Sequence, residues 1–323
     1  MRLPVLARQR GVAVITALLL TTLSVTIVAS LFWQQQVQVR SMENQRLHLQ
    51  TKWILRGALD WARLVLRQDG IDNRSHTSLR AVWNTPLAET RLDQYIERER
   101  VEGEIFNATL SGRIVDAASR YNLTNLTEGP VINPKHVKIY KNLLVHLQID
   151  PVLAERTAKL VSDAYPPIVT ALGAPQPATP PPVRTSVPFQ LTAVDDLLSI
   201  PGYTLEIVNK LREFVIVLPE VTPVNVNTAK AEVIAALVQN YSVSQANALV
   251  ARREQAYYLY KNAFKEQLYG AEPEDENSYE VKSEWFLVQS RVRLDRANLD
   301  AEALVNRKLD DRVQTTTVWV RQN

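Results

Sequence analysis

The sequence has no cysteine, and its four histidines are scattered along 323 residues. The lack of cysteine excludes disulfides and thiolate chemistry, although it does not indicate a compartment, since an exported protein can lack cysteine too. No two histidines form the i, i+4 pair of a helical metal site, and the sequence contains neither a Gly-x-Ser-x-Gly elbow nor a phosphate-binding glycine loop. We therefore expect no catalytic residues and no enzymatic activity.

Acidic residues are missing from the start of the chain, where Glu43 is the first one. The formal net charge is +3, and three arginines, Arg2, Arg8 and Arg10, precede Gly11. Removal of that segment would therefore leave a chain with no net charge. Such a chain exerts no global electrostatic attraction on nucleic acid.

A long apolar run follows Gly11. Residues 12–33 carry no charge, and their length is close to the roughly 20 residues that span a bilayer as a helix. A cleavable secretory signal has a shorter apolar stretch, of roughly 7 to 15 residues. Because Arg8 and Arg10 precede the run, the positive-inside rule places the N-terminus in the cytoplasm and the rest of the chain outside. We expect a single transmembrane helix over residues 12–33, in which hydroxyl side chains bond back to carbonyls one turn earlier.

Residues 8–16, Arg-Gln-Arg-Gly-Val-Ala-Val-Ile-Thr, resemble the leader of type IV prepilins. The resemblance implies that a prepilin peptidase cuts between Gly11 and Val12 and methylates the new N-terminus. Residues 1–11 would then be the leader, with Arg8 and Arg10 as its charges, and Thr16 would become the fifth mature residue. An uncleaved anchor with an incidental glycine is the alternative.

Thr16 differs from the residue that most pilins and pseudopilins have at the fifth position. That residue is a glutamate, which pairs in lipid with the N-terminal ammonium of a neighbouring subunit. A lone carboxylate within the bilayer is expensive unless it is paired. A neutral residue avoids this cost where no neighbour stands above the subunit, so Thr16 suits the tip of a filament. It would also suit a protein that is not a pilin.

The apolar span is expected to continue as a helix into water. A stripe at spacings of four, three and four predicts the face that packs on a globular head: Ile54, Ala58, Trp61 and Val65. Asp69-Gly70 is the predicted C-terminal stop of this helix. Trp53 and Trp61 are expected in the core.

Beyond this helix, strand and helix patterns follow one another. Residues 104–116 predict a β-hairpin with its turn at Ser111-Gly112. Residues 134–165 and 191–268 predict helices, with candidate starts at Thr192, Thr204 and Asn227, the last as an N-cap. Residues 166–188 hold eight of the 17 prolines and predict an extended loop. Residues 284–294 and 313–322 alternate as strands do, so the helices interrupt one β-sheet.

Three segments in this order resemble the K-type minor pseudopilin of type II secretion: SGRIVDAASRYNLTNL at 111–126, VNVNTAKAEVIAAL at 224–237 and VKSEWFLVQSRV at 281–292. Asn122 and Asn125 do not reproduce the Asn-x-Asn spacing of the family. The resemblance, which includes the leader and Thr16, implies an α+β fold. A pilin-like long N-terminal helix would pack on an antiparallel β-sheet, with a large all-α, helix-hairpin-helix-like domain inserted. The implied parts are pilin-like residues 34–128, the insert 129–270 with its loop 166–188, and pilin-like residues 271–323.

The resemblance implies a structural role at the tip of the type II secretion pseudopilus. The chain would assemble with the I-type and J-type minor pseudopilins, then with the H-type and the major pseudopilin filament. It would initiate or cap the filament and support protein export across the outer membrane. It would be a single-pass protein of the inner membrane with its globular part in the periplasm, and nucleic acid is not an expected partner.

Two other functions stay open. Residues 224–254 resemble the helix-hairpin-helix module of periplasmic DNA receptors for competence, which needs glycines whose bare amides face a phosphate. Residues 239–242, at the position of the hairpin, contain no glycine. Residues 197–214 resemble the module less strongly and contain only Gly202, which is followed by Tyr203. The other alternative is a plain anchored periplasmic domain, without leader cleavage or pseudopilin partners.

The acidic stretch at residues 271–280 is a candidate calcium site, with Glu272, Glu274, Asp275 and Glu276 as ligands. Calcium takes six to eight oxygen ligands from such loops, and the family is known for calcium in its pilin-like part. The stretch lacks the spacing of an EF-hand, and the chain lacks the cysteines that some relatives have nearby. The alternative is a solvated loop before a strand.

Overall fold

The computed structural model describes residues 12–92, 107–165 and 189–322. The predicted leader at 1–11 and the proline-rich loop at 166–188 lie outside the described residues. In the described part, seven α-helices are α1 Val12–Asp72, α2 Pro134–His146, α3 Val152–Asp163, α4 Leu205–Leu211, α5 Ala231–Leu237, α6 Val243–Gln255 and α7 Lys261–Glu266. Its strands are β1 Leu87–Arg91, β2 Ala108–Asp116, β3 Tyr121–Asn122, β4 Thr127–Glu128, β5 Val131–Ile132, β6 Val215–Ile216, β7 Val224–Asn225, β8 Tyr279–Glu280, β9 Trp285–Leu294, β10 Ala297–Lys308 and β11 Gln314–Gln322.

Helix α1 is a single rod of 61 residues, about 90 Å long at 1.5 Å per residue. Its N-terminal part is long and apolar enough to cross a membrane and is fully exposed in the isolated chain. Five hydroxyls in this part donate to carbonyls three or four residues earlier: Thr16, Thr21, Thr22, Ser24 and Thr26. The predicted back-bonding is confirmed, and it lets these side chains enter lipid without an unsatisfied donor. The helix ends two residues beyond the predicted stop at Gly70.

The C-terminal third of α1 packs on the head through a face one position away from the predicted stripe. Its buried apolar residues are Leu55, Ala58, Leu59, Ala62 and Leu66. Ile54 and Val65 are half-buried, while Trp53 and Trp61 are 67% and 52% exposed. The prediction that both tryptophans lie in the core is therefore wrong. Apolar residues lie on several sides of this part of the helix, so their spacing alone does not decide which side faces the sheet.

Strands from both ends of the chain form one five-stranded antiparallel sheet in the order β1-β2-β9-β10-β11. The buried face of α1 packs on it, with Ile114, Phe286 and Val305 among the contacting residues. The predicted strands at 284–294 and 313–322 correspond to β9 and β11, and β10 between them was not predicted. A long N-terminal helix on an antiparallel sheet is the expected fold.

The predicted hairpin turn at Ser111-Gly112 is wrong. Strand β2 runs straight through both residues, and Gly112 pairs with Leu87 on one side and Ser290 on the other. A Cβ at Gly112 would lie 2.7 Å from the carbonyl oxygen of Gln289. The glycine therefore permits a close approach between strands instead of a turn.

The segment between β2 and β9 forms a second core of mainly helical elements. Its buried cluster begins at Tyr121 and ends at Val281, so the insert is wider than the predicted 129–270. It also contains three two-stranded ladders, β3-β6, β4-β5 and β7-β8, which the expectation of an all-α insert left out. Here "the insert" means residues 117–281.

Local signals in the insert were partly correct. Helix α4 begins next to Thr204, which confirms the predicted start, and the Thr204 hydroxyl also caps the helix by accepting from the amide of Ile207. At Thr192, a short 3-10 helix begins slightly later, over Val194–Ser199. Asn227 is not the N-cap of α5, because that position belongs to Lys230, which makes no side-chain cap.

Candidate assembly surface and buried polar junction

Asp116, the last residue of β2, connects the sheet to the insert. Its Oδ2 accepts from Asn225 Nδ2 at 2.8 Å, Thr228 Oγ1 at 2.6 Å and Ser283 Oγ at 2.7 Å, and its Oδ1 accepts from the amide of Ala118. Burial raises the pKa of Asp116, although these four hydrogen bonds favour the carboxylate. The carboxyl group thus joins β2, the insert and the segment that enters β9.

A second group of buried polar residues fixes the C-terminal end of α1. Arg307 Nη1 on β10 donates to Asp69 Oδ2 at 2.5 Å, and its Nη2 donates to Thr77 Oγ1 and to the carbonyl of Ser283. Thr77 also accepts from Asn225 Nδ2 through its carbonyl, and its amide donates to the carbonyl of Val281. We call the connected set Asp69, Thr77, Asp116, Asn225, Thr228, Ser283 and Arg307 the polar junction.

Asn122 and Asn125 fasten a nearby loop of the insert. Asn122 donates to the carbonyl of Glu220 and accepts from the amide of Leu218. Asn125 makes the same pair of bonds with the backbone of Thr222. Each amide side chain therefore bonds to one carbonyl and one N–H of the loop backbone, as a neighbouring strand would. Both side chains are buried, so these bonds satisfy polar groups that water does not reach.

The polar junction places the insert at one end of α1. Val12 begins this helix in its apolar part, which is long enough to cross a membrane, and Asp69 lies near its opposite end. The segment just after α1 also contacts the insert, because His76 stacks on Tyr257 with ring centroids 4.7 Å apart and Arg80 donates to the carbonyl of Glu254. The insert is thus fixed at the end of α1 that is farthest from the apolar span.

The side of α1 that does not pack on the sheet carries exposed apolar residues with the charged residues Arg46, Asp60 and Arg67 between them. We call the exposed residues Met42, Leu49, Trp53, Leu64 and Ile71 the outward stripe. Met42, Trp53 and Leu64 are 11 residues apart, and Leu49 and Ile71 are 22 apart. Since 11 residues complete about three helical turns, these positions share one face. Gly57 lies between them, and a Cβ added there would meet no atom within 4 Å.

Among the predicted processing residues, Arg8, Arg10 and Gly11 lie outside the described residues, and Val12 is the first residue of α1. Thr16 Oγ1 lies 3.0 Å from the carbonyl oxygens of both Val12 and Ala13. Its polar atom therefore needs no partner beyond its own helix. A carboxylate at this position could not donate to those carbonyls and would need an external cation.

The four candidate calcium ligands are each engaged by a lysine. Glu274 lies 2.9 Å from Lys138, and Asp275 lies 3.2 Å from Lys135. Glu272 and Glu276 share Lys265, at 3.4 and 2.5 Å. Within the described ranges, no three His, Cys, Asp or Glu side chains converge as metal ligands. This arrangement does not fit a calcium ion, because the four carboxylates point to three different ammonium groups instead of one common centre.

Neither of the two hairpins resembling DNA-binding modules presents a free phosphate cradle. The amide of Gln239 donates to the carbonyl of Glu272, so the first hairpin faces the acidic stretch. At the second, Gly202 has φ +103, and Arg156 Nη1 donates to the carbonyl of Pro201 at 2.7 Å. A Cβ on Gly202 would lie 2.7 Å from that guanidinium, so α3 covers the glycine. Phosphate recognition needs such amides exposed.

Comparison with known proteins agrees with this architecture. Two family models described as type II secretion system, protein K, match residues 119–220 and 224–282. The type II secretion system protein K of Pseudomonas aeruginosa is 30% identical over 304 residues, covering 88% of this chain and 85% of the relative. The chain belongs to the type II secretion system protein K family. Its members are the K-type minor pseudopilins, as the motifs indicated.

Other K-family proteins align over similar lengths. The protein K of Pectobacterium carotovorum is 26% identical over 320 residues, 93% of each chain. A solved complex of GspK, GspI and GspJ from enterotoxigenic Escherichia coli contains a chain with the same fold, at a TM-score of 0.58 and 18% identity. The match covers 87% of this chain and 99% of that one. The match shows that the two chains share a fold over most of their lengths.

The K-family motifs explain most of the polar junction, although not all of it. Asp116, Asn225 and Thr228 lie in segments that the motifs identified, and each contributes a side chain to the junction. Asp69 was predicted only as part of the helix stop, and Arg307 was not singled out from the sequence. The one sequence signal for Arg307 is a charged residue among apolar ones in a strand. Arg307 lies in β10 among buried residues, where such a charge needs a partner.

Proposed function

We propose that this K-type minor pseudopilin is processed after Gly11 by a prepilin peptidase, methylated at Val12, and then retained in the inner membrane by residues 12–33. Its globular part lies in the periplasm. There it joins the I-type and J-type minor pseudopilins, and then the H-type, at the tip of the pseudopilus. The role is structural: the complex initiates or caps the filament of major pseudopilin and thereby supports protein export.

The observation that carries this proposal is the outward stripe. It leaves large apolar side chains uncovered, with Arg46, Asp60 and Arg67 between them, along a helix that already buries its other side against the sheet. Exposed apolar patches of this kind mark protein interaction sites, and the structural neighbour of this chain was solved in a complex with GspI and GspJ. In this proposal, α1 packs on the corresponding helices of neighbouring subunits along the stripe.

Two further features support a position at the tip. Thr16 satisfies its hydroxyl within α1, so it needs no N-terminal ammonium from another subunit. The insert is fixed by the polar junction at the end of α1 farthest from the membrane span. A subunit added above would meet the insert, whereas the outward stripe beside and below it stays accessible.

The test is co-purification of the tagged full chain with its I-type and J-type partners from membranes. The variant Trp53→Ser/Leu64→Ser is expected to lose both partners while retaining its own unfolding transition, because both side chains are exposed. Leu205→Ser is the matched control, since Leu205 is also exposed but lies on the insert. Equal recovery of partners by the stripe variant and the control would contradict the proposal.

A further inference from the structure

The two edges of the five-stranded sheet, β1 and β11, differ in their chemistry. Strand β1 has five residues, follows Pro86, contains Glu89 and Arg91, and pairs with β2 in an irregular register. Strand β11 has nine residues, and its stretch 314–320, Gln-Thr-Thr-Thr-Val-Trp-Val, contains no charge and no proline. Short, charged or irregular edges resist pairing with another chain, whereas a long uncharged edge favours it. Strand β11 is therefore the edge that can accept a further strand.

The register shows which backbone groups of β11 point away from the sheet. The amide of Arg307 on β10 donates to the carbonyl of Glu284, so the backbone groups of Arg307 point to the β9 side. Its partner on β11, Thr315, therefore directs its N–H and C=O outward. Every second residue of β10 from Arg307 to Ala301 does the same, and the partners of this row also point outward: Thr317, Val320 and Gln322. We call residues 317–322 the open edge.

Arginines of α1 cover β11 only up to Thr315. Arg63 donates to the carbonyl of Thr315 through Nε and Nη2, and Arg67 Nε donates to the carbonyl of Val313. Since the lower-numbered arginine contacts the higher-numbered strand residue, α1 and β11 run in opposite directions. In the part of the chain that the structure describes, the backbone of residues 316–322 is bonded by β10 alone, and Thr317, Val320 and Gln322 are exposed.

Two exposed basic residues of α1 follow the same side of the helix along the open edge. Arg56 and Lys52 precede Arg63 by two and three helical turns, which is about 10 and 16 Å along the axis. At about 3.3 Å per strand residue, this places them level with Val318 and Val320. Both side chains are exposed, and neither is paired with a carboxylate among the described residues. The open edge is therefore bordered by positive charge.

Other parts of the same chain are unsuitable occupants of the open edge. Residues 93–106 connect β1 to β2, which lie at the opposite edge of the sheet. Residues 166–188 contain eight prolines, which cannot donate to a ladder, and their one charged residue, Arg184, is basic. A second copy of the chain is also unsuitable, because pairing of two open edges would bring together Lys52 and Arg56 of both copies.

We propose that an extended acidic segment of another subunit of the pseudopilus tip adds to the sheet as a sixth strand along the open edge. Its backbone pairs with the outward groups of Thr317, Val320 and Gln322, and its carboxylates lie beside Lys52 and Arg56. This inference rests on the proposed function. It adds a backbone contact at the edge of the sheet to the broader contact along the outward stripe.

Hydrogen exchange tests the added strand directly. The full chain is measured alone and in the tip complex purified from membranes. The outward amides of Thr317, Val320 and Gln322 should exchange at least about 10-fold more slowly in the complex, since each joins a ladder there. Peptides from β1 should exchange equally in both states and serve as the internal reference. Unchanged exchange at the three amides in a complex that contains the partners would overturn the inference.

A proline on the open edge tests the backbone contact by a second route. Val320→Pro removes an N–H that points away from β10, so the variant keeps its ladder and should fold. It should recover at least about 10-fold less partner, because the proline ring occupies the place of an incoming carbonyl. Val320→Thr retains the N–H and the branched shape, so it is the matched control and should bind normally. Equal binding by the two variants would contradict the proposal.

A charge reversal tests the acidic character of the occupant. Arg56→Glu places a carboxylate beside the proposed acidic strand and should weaken partner binding about 5-fold. Lys159→Glu is the matched control, because Lys159 is equally exposed but lies on α3 of the insert. Binding that is equal in the two variants, or stronger in Arg56→Glu, would show that the occupant is not acidic.

Photo-crosslinking identifies the occupant. Val318, which is 44% exposed, is replaced by a photo-reactive phenylalanine analogue in the full chain, and the irradiated tip complex is analysed by mass spectrometry. The expected adduct contains a peptide of another pseudopilin with at least one Asp or Glu. An adduct with lipid, with a second copy of this chain, or with its residues 93–106 or 166–188 would overturn the inference.

The outcomes separate the two proposals. If the wild-type chain recovers no pseudopilin partner, the proposed function is wrong. If it recovers partners, but Val320→Pro binds them as Val320→Thr does and exchange at the open edge is unchanged, the proposed function stands and the strand inference is overturned. Should Val320→Pro fail to fold, the exchange measurement on the wild-type chain decides.

Discussion

The guanidinium of Arg307 on β10 contacts the carboxylate of Asp69 near the end of α1, with 2.5 Å between Nη1 and Oδ2 and both side chains buried. The two residues are 238 positions apart in the sequence. Arg307 also lies over the ring of Phe286, with 4.6 Å to its centroid. This pair joins the long helix to a strand that follows the insert, so it holds together the two separated parts of the pilin-like fold.

Removal of Asp69 is expected to destabilise the chain strongly. Asp69→Ala leaves the Arg307 guanidinium buried without its carboxylate, and breaking a buried pair in this way typically costs about 3–5 kcal/mol. Asp300→Ala is the control, because it breaks an exposed pair with Arg291, worth at most about 1 kcal/mol. Urea unfolding measures the free energy of unfolding of both variants. Equal losses would show that the buried Arg307–Asp69 pair stabilises the chain no more than the exposed pair does.

Asp116 should give the free energy of unfolding a distinctive pH dependence. Burial raises the pKa of Asp116 in the folded state, so the folded chain binds a proton at a higher pH than the unfolded chain does. The charged carboxyl group therefore costs stability at neutral pH, and this cost decreases as the pH falls through the folded pKa towards the unfolded value.

Comparison with Asp116→Asn isolates this effect. The variant replaces an acceptor of three side-chain donors by a group with only one acceptor oxygen, and it should lose about 1–3 kcal/mol at pH 7. The difference in unfolding free energy should then grow in favour of the wild type as the pH is lowered from 7 to 4. A difference that is constant over this range would contradict the raised pKa.

Thr16 should tolerate an apolar replacement better than an acidic one. Thr16→Val removes a hydroxyl whose hydrogen bonds, among the described residues, go to carbonyls of its own helix, so secretion should remain near normal. Thr16→Glu introduces a carboxylate that needs an ammonium partner within the membrane. Export of a reporter substrate should therefore fall in the glutamate variant alone, and equal secretion by both variants would count against the tip position.

Calcium is expected to leave the stability of the chain unchanged. The carboxylates of Glu272, Glu274, Asp275 and Glu276 are engaged by lysines in the described arrangement. Thermal unfolding in excess calcium and in a chelator should give the same Tm. A Tm raised by calcium, and lost in Glu274→Gln, would show that the acidic stretch rearranges around the ion.

The sequence was most informative where one local rule decides the structure. The long helix and the strands β9 and β11 follow from uninterrupted apolar or alternating patterns, and Thr204 caps α4 as its type predicts. Predictions from the sequence were wrong where a residue type that is typical of a turn or a cap makes a tertiary contact instead. Gly112 reads as a turn but permits strand approach, and Asn227 reads as a cap but binds the backbone of Tyr258 and Val281.

The candidate site shows the same division. Asp116 and Asn225 stood in recognisable motifs, yet only the fold shows that they share hydrogen bonds. The outward stripe was missed because exposed Trp53 was assigned to the core, since a tryptophan at helical spacing is usually buried in a soluble protein. The register that places Gly112 opposite Ser290 is likewise specified by no local pattern.

The proposed role depends most on α1 being cut from a precursor and then kept as an assembly helix. The most direct measurement is the intact mass and N-terminal sequence of the chain extracted from membranes, in cells with and without prepilin peptidase. A methylated N-terminus at Val12 that appears only with the peptidase is the predicted result. A chain that begins at Met1 in both cells, or beyond Trp33, would contradict it.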